Sequence, residues 1–214
     1  MAKQSRTIEL KITEFSREGH GTGMWQSPDG KAHIVEVPFS IPGDEAQVRL
    51  LKRKGGIYHS QVVEWLHFSQ SRVKPLCRHF GNCGGCRWQQ IAYEDQFKRK
   101  EAWIYRLLEP YLLSDVVRYP IIPCMPPWQY RNKMELSFSS DKAGQRYLGL
   151  ILYGTRGHVF QMQECHLTHP WIINAVQSVS QWWTDSGLEA YHSGKDKGSL
   201  RTLTLREGQR TGDR

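Results

Sequence analysis

Residues 72–88, RVKPLCRHFGNCGGCRW, divide the chain into two parts of different character. Cys77, Cys83 and Cys86 stand there as Cys-x5-Cys-x2-Cys, with a glycine pair between the last two. The glycines let both thiolates turn toward one metal and free nearby backbone N–H groups to bond sulfur. A further cysteine, Cys165, lies far downstream in QMQECHL (161–167). Three close thiolates plus a distant one meet the four-cysteine demand of either Zn²⁺ or an iron–sulfur cluster. Zinc ribbons usually carry two Cys-x2-Cys knuckles and this chain has one, so the spacing favours a cubane cluster and leaves zinc open. Cys124, between Pro123 and Met125, is the runner-up as fourth ligand, and otherwise a small buried apolar residue. His79, His166 and His169 are near cysteines in sequence and read as solvated or structural histidines.

Upstream of this stretch the sequence reads as short strands. In IELKITEF (8–15), Ile8, Leu10 and Ile12 alternate with Glu9, Lys11 and Thr13, the period of a half-buried strand. HIVEV (33–37), AQVRLL (46–51) and SQVVEWL (60–66) follow, separated by GHGTG, SPDGK, SIPGDE and KRKGG, all rich in turn residues. Several short strands with a turn every ten or so residues suggest a small β-barrel over residues 1–68, in preference to a sandwich.

Downstream the pattern changes. Tyr93 to Leu108 places Phe97, Ile104, Leu107 and Leu108 at helical spacings, and Pro110 limits the helix. YPIIPCMPPWQY (119–130) is too rich in proline for regular structure. Strands are expected at 134–139, 147–153 and 158–162, a helix at Pro170–Trp183 and a last strand in LRTLTLRE (200–207). The expected architecture is therefore mainly β with α+β, the second domain running over 75–214. The last strand calls for a hairpin partner after it and none follows, so the C-terminus reads as a cut inside a domain. The helix at 93–108 spreads Trp103, Ile104, Leu107 and Leu108 over more than one face. It packs either on a part not present here or within this chain.

The formal charge is +8 and pI about 9.3, which favours a polyanionic partner. Residues 1–66 carry nine Lys/Arg against eight Asp/Glu, and residues 67–110 carry eight against four, so the excess is densest around the cysteines. Five cysteines, an odd number, argue against a disulfide framework. No apolar run approaches the ~20 residues of a membrane span, and MAKQSRTIELKI has no apolar leader core. The expected setting is cytoplasmic, without membrane association, with the protein a monomer.

Several motifs carry a resemblance. EGHGTG (18–23), VPFSIPGDEAQVRL (37–50) and KRKGG feeding SQVVEWL resemble a TRAM domain, a small OB-like RNA-binding barrel. RVKPLCRHFGNCGGCRWQQIAYEDQFKRK resembles the cluster-binding signature of the 23S ribosomal RNA (uracil-5-)-methyltransferase family, and WQYRNKMELSFS (128–139) and ECHLTHP resemble its central domain. The resemblance implies a 4Fe–4S cluster on Cys77, Cys83, Cys86 and Cys165, and an RNA partner, 23S ribosomal RNA. It implies that a thiolate attacks uracil C6, C5 takes methyl from S-adenosylmethionine and a carboxylate removes the C5 proton. The residues for those steps and the Rossmann-like methyltransferase domain that holds the methyl donor lie beyond residue 214 in the family. On that basis the chain is expected to be the RNA-recognition and cluster-bearing part of the enzyme, inactive alone, with no catalytic or S-adenosylmethionine-binding residue. Expected RNA contacts are Lys52, Arg53 and Lys54, Arg131 and Lys133, and the pair Arg87 and Trp88, which offers a phosphate contact and a stacking ring. The radical S-adenosylmethionine methylthiotransferases, with Cys-x3-Cys-x2-Cys and the TRAM domain at the other end, fit less well. The other readings are a free-standing iron–sulfur or zinc RNA-binding protein and, more remotely, an electron carrier.

Overall fold

The computed structural model describes residues 6–113 and 115–214. The first five residues of the N-terminal stretch read above lie outside them. The described chain forms two compact units, one running through Pro75 and including Arg87–Tyr119, the other made of Leu76–Cys86 and Pro120–Arg214.

The first unit is built on six strands: β1 (Thr7–Lys11), β2 (Glu14–Phe15), β3 (Gly21–Gln26), β4 (Ala32–Val37), β5 (Glu45–Lys54) and β6 (Ile57–His67). They lie in the order β1-β5-β6-β4-β3-β2. The strand expected over 8–15 is split in two, and only Ile12 and Thr13 separate its halves. β1 pairs with β5, β2 pairs with β3, and Thr13 N donates to Thr22 O at 2.9 Å. The two ends of the sheet are thus halves of one bent strand, and the sheet curls back on itself. Gly23 permits that approach, because a Cβ there would stand 2.2 Å from Lys11 O. β4 and β6 run parallel, with Glu36 opposite His59. Inside lie Leu10, Ile12, Val35, Val37, Ala46, Val48 and Leu50, the inward-facing alternate positions of their strands.

Helix α1 (Tyr93–Leu108) lies where its spacing predicts, and none of its residues is buried. It was expected within the domain beginning at residue 75, yet it groups with the first unit. Hydrogen bonds give the reason. Trp88 Nε1 donates to Gly19 O at 2.7 Å, and Val73 N to Gln90 O at 3.0 Å. Gln96 Nε2 donates to the carbonyls of Trp88 and Ile91, so the segment entering the helix is tied back to the sheet.

The second unit holds an antiparallel sheet in the order β10-β7-β8-β9, with β7 at Lys133–Ser140, β8 at Arg146–Ile151, β9 at Val159–Gln161 and β10 at Thr202–Arg206. Met134, Leu136 and Phe138 alternate inward along β7, and α2 (Pro170–Asp185) buries Ile172, Val176 and Trp183 with them in one core. The Trp183 and Phe138 rings meet edge to face at 5.0 Å. β10 pairs with β7, more than sixty residues earlier, at one edge of this sheet. The 119–130 stretch is irregular throughout. No helix is long and apolar enough to cross a membrane among the described residues.

Candidate functional site

The cysteine loop belongs wholly to the second unit, as does Cys165. Tight turns shape it: Phe80 N donates to Cys77 O at 3.1 Å, and Cys83 N to His79 O at 2.8 Å. Gly85 N donates to Cys83 Sγ at 3.3 Å, the sulfur bond expected of the glycine pair. Tyr153 N donates to Asn82 O at 2.7 Å, and Cys83 bridges Leu152, which moors the loop beyond the end of β8.

What carries Cys165 to this loop is a polar clasp. Arg78 N donates to Glu164 Oε1, and Arg78 Nε lies 3.3 Å from Glu164 Oε2. Arg78 Nη1 donates to Gln163 Oε1 at 3.2 Å, and Gln163 N donates to His79 Nε2 at 3.1 Å. Residues 77–79 are therefore bound to 163–164, beside Cys165. The thiols lie within electrostatic reach of one another. Burial pushes the Cys77 thiol up from its ordinary value, and the charges of Glu164, Cys165 and Cys86 add to that. Burial likewise raises Cys83, with Cys165 adding, while the Gly85 N–H and Arg131 oppose it. Four sulfur donors gathered in one unit are a donor set suited to a soft metal or cluster. A bound cation would displace the thiol protons that proximity and burial otherwise hold in place.

The other cysteine and the histidines are placed differently. Cys124 is exposed in the irregular stretch, its Sγ 3.5 Å from Pro126 O. His79 uses Nε2 to accept from Gln163, and burial holds it below its ordinary value. His166 faces Glu164 at 3.6 Å, and His169 faces Glu207 at 3.9 Å.

The residues expected to contact RNA fall in both units. Lys52, Arg53 and Lys54 are exposed at the end of β5, where Gly55 and Gly56 turn the chain with positive φ. Arg53 lies over the Tyr58 ring at 5.6 Å. Arg87 is exposed and donates to Glu18 O. Trp88 is half-buried, packed on Phe15 at 5.4 Å and bonded to Gly19. Its ring is engaged in packing. In the second unit Arg131 is half-buried and Lys133 pairs with Glu135.

Two groups escape sequence reading. The Arg78–Glu164 clasp gives no local signal, since its partners are 86 residues apart. Glu18, His20 and Glu36 bring their ligand-type atoms within 4.8 Å of one another in the first unit. Glu36 alternates in HIVEV as an outward residue should, yet only 6% of it is exposed.

No family model matches the chain. It is 56% identical over 180 residues to a protein of Protochlamydia amoebophila (strain UWE25) named as an uncharacterized RNA methyltransferase, covering 84% of this chain and 40% of that protein. It is 31% identical over 213 residues to one of the same description from Caldanaerobacter subterraneus subsp. tengcongensis, covering 100% of this chain and 46% of that protein. The chain thus spans less than half the length of these curated relatives. In fold it resembles the crystal structure of Pyrococcus abyssi tRNA (uracil-54, C5)-methyltransferase in complex with S-adenosyl-L-homocysteine, with TM-score 0.69, 23% identity, and 96% of this chain and 44% of that chain covered.

Two expectations are corrected by these findings. The fold was expected to be a TRAM-plus-iron–sulfur fragment set apart from a methyltransferase fold. Instead, 96% of the chain superposes on part of one solved methyltransferase chain. The function was expected to be that of a recognition fragment without catalysis. Yet nearly the whole chain aligns within proteins named for the methyltransferase activity itself. Both expectations rested on treating the local motifs as separable modules. By sequence, then, the chain is a relative of proteins named RNA methyltransferases, along nearly its full length and across less than half of theirs.

Proposed function

We propose that this chain is part of an S-adenosylmethionine-dependent RNA methyltransferase that methylates uracil at C5. The observation that carries the reading is the 56% identity over 84% of the chain to a protein named an RNA methyltransferase. The likeness in fold to a uracil-C5 enzyme supports the choice of base and atom. Uracil C5 becomes nucleophilic only when a nucleophile adds at C6, so the enzyme must supply a thiolate there and a base for the C5 proton. The target base must also leave its stack.

Within that enzyme, Cys77, Cys83, Cys86 and Cys165 would hold a 4Fe–4S cluster. A single Cys-x2-Cys pair with one distant cysteine is the pattern that favours a cluster over a zinc ribbon. Lys52, Arg53, Lys54, Arg87, Arg131 and Lys133 would contact RNA phosphates, with Trp88 beside Arg87. Ribosomal RNA is the substrate that the cysteine signature favours.

The test is transfer of labelled methyl from S-adenosylmethionine by the full-length protein, offered ribosomal RNA and tRNA separately, with the product nucleoside identified by mass spectrometry. 5-Methyluridine in ribosomal RNA is expected. Methylation of tRNA alone would move the substrate, and methylation of neither would overturn the reading. Anaerobically purified protein should hold about four irons and about four sulfides per chain. Stoichiometric zinc without iron would refute the cluster.

A further inference from the structure

The first unit carries a second group of ligand-type side chains that contains no cysteine. Its members come from separate places in the chain. His20 closes the turn ahead of β3, fixed by Ser16 N donating to His20 O at 2.7 Å and His20 N donating to Ser16 Oγ at 3.2 Å. Glu18 stands in the same turn with an exposed side chain. Glu36 lies on β4, and its register partner on parallel β6 is His59. His59 Nδ1 is 3.3 Å from Glu36 Oε1. Ser60 Oγ donates to the Glu36 carbonyl at 2.8 Å, which holds the two strands at this register.

His20 and Glu36 are 2% and 6% exposed, a depth at which an imidazole and a carboxylate both need partners. The ligand-type atoms of Glu18, His20 and Glu36 lie within 4.8 Å of one another. A divalent ion held at about 2.0–2.2 Å by nitrogen and oxygen keeps adjacent donors roughly 3–3.5 Å apart. Glu18, whose side chain is exposed, can swing inward to close the distance. Arg87, bonded to the Glu18 carbonyl, offsets one of the two carboxylate charges, so the group stays net negative without a cation.

We infer that Glu18, His20 and Glu36, with His59 against Glu36 as an outer partner, form a binding site for a divalent transition-metal ion, separate from the cysteine site. Its chemistry differs from that site's. Imidazole and carboxylate select ions of the Mn²⁺ to Zn²⁺ series, whereas thiolates select softer centres. The ion would link the turn before β3 to β4 and β6.

The experiment uses the anaerobically purified full chain with its cysteine site loaded, exchanged into metal-free buffer and titrated with Mn²⁺ or Zn²⁺. Bound Mn²⁺ is read by loss of the free-ion EPR signal and Zn²⁺ by calorimetry. One ion per chain is expected, and Glu36→Gln should weaken it about tenfold or more. Glu18→Gln changes an exposed side chain, so it tests the site without disturbing the fold, and it should weaken binding in the same direction. Neither ion binding to the native chain, or both variants binding as the native chain does, would overturn the site.

Discussion

At the scale of single residues, Asp44 shows how one buried carboxylate can fix a loop. It is fully buried and accepts four hydrogen bonds: from Ile41 N at 2.7 Å, Ser69 N at 2.9 Å, and Arg72 Nε and Nη2 at 2.8 and 2.7 Å. Arg72 also donates to the carbonyl of Phe39, a residue with φ of 59°, and lies over the Trp65 and Phe68 rings. Asp44→Asn keeps the shape but leaves the guanidinium without its counter-charge. Breaking such a pair costs about 3–5 kcal/mol, and the urea midpoint of the variant should fall accordingly. Asp141 illustrates a pH effect on an exposed group. The backbone N–H of Gln145 holds its carboxyl below the ordinary 3.8, helped by the Tyr147 hydroxyl and the Ala143 N–H. The unfolded chain therefore takes up the proton first. The stability this turn contributes is complete above the ordinary carboxylate value and is lost as the pH falls below it. Urea midpoints measured from pH 6 to pH 3 should drop less steeply in Asp141→Asn than in the native chain. Equal slopes would remove Asp141 from the account.

At the scale of elements, the helices and most strands are where hydrophobic period places them, because their apolar faces meet a core directly. α1 spans the expected residues, and α2 extends two beyond its expected end at Trp183. The strand expected over 8–15 shows the limit of that reading. Its period is unbroken in sequence, yet the bend at Ile12–Thr13 lets it pair at both ends of the sheet. The clasp between the cysteine loop and the segment after β9 is likewise an element-level device. Glu164→Ala removes the acceptors of both Arg78 N and Arg78 Nε, whereas Glu164→Gln keeps one acceptor oxygen. Glu164→Ala should lower the iron retained per chain and speed iron loss in air, and Glu164→Gln should do so less. Outer partners of metal ligands typically change affinity about 10–100-fold. Iron content and loss rate unchanged in Glu164→Ala would show that Cys165 reaches the loop without the clasp.

At the scale of the whole molecule, the charge of +8 is the property that a polyanion reads first. If about six phosphates are neutralised, RNA affinity should fall about a thousandfold or more between 50 and 200 mM salt. Lys52→Ala and Arg53→Ala should each reduce the slope of log affinity against log salt by about one. Filter binding across a salt series measures both, and affinity indifferent to salt would overturn the electrostatic part of the proposal.

Sequence alone was enough for whatever depends on near neighbours along the chain. Helix α1, strands β4, β5 and β6 and the inward positions of β7 follow from periodicity, because burial on one face is a local pattern, whereas β3 runs through the GHGTG stretch that reads as a turn. Cys77, Cys83 and Cys86 share one loop because they are close in sequence. Only the tertiary structure decided what depends on distant partners. β10 pairs with β7, more than sixty residues away in sequence. α1 joins the first unit through bonds from Trp88 and Gln96 that no periodicity encodes. Arg78 and Glu164 draw Cys165 toward the cysteine loop across most of the second unit's sequence. Glu36, spaced like a solvent-facing residue, is buried against His59 because parallel pairing of β4 and β6 sets the two side by side. Such pairings are settled by which surfaces meet when the sheets close, and that information is not held in any one stretch of sequence.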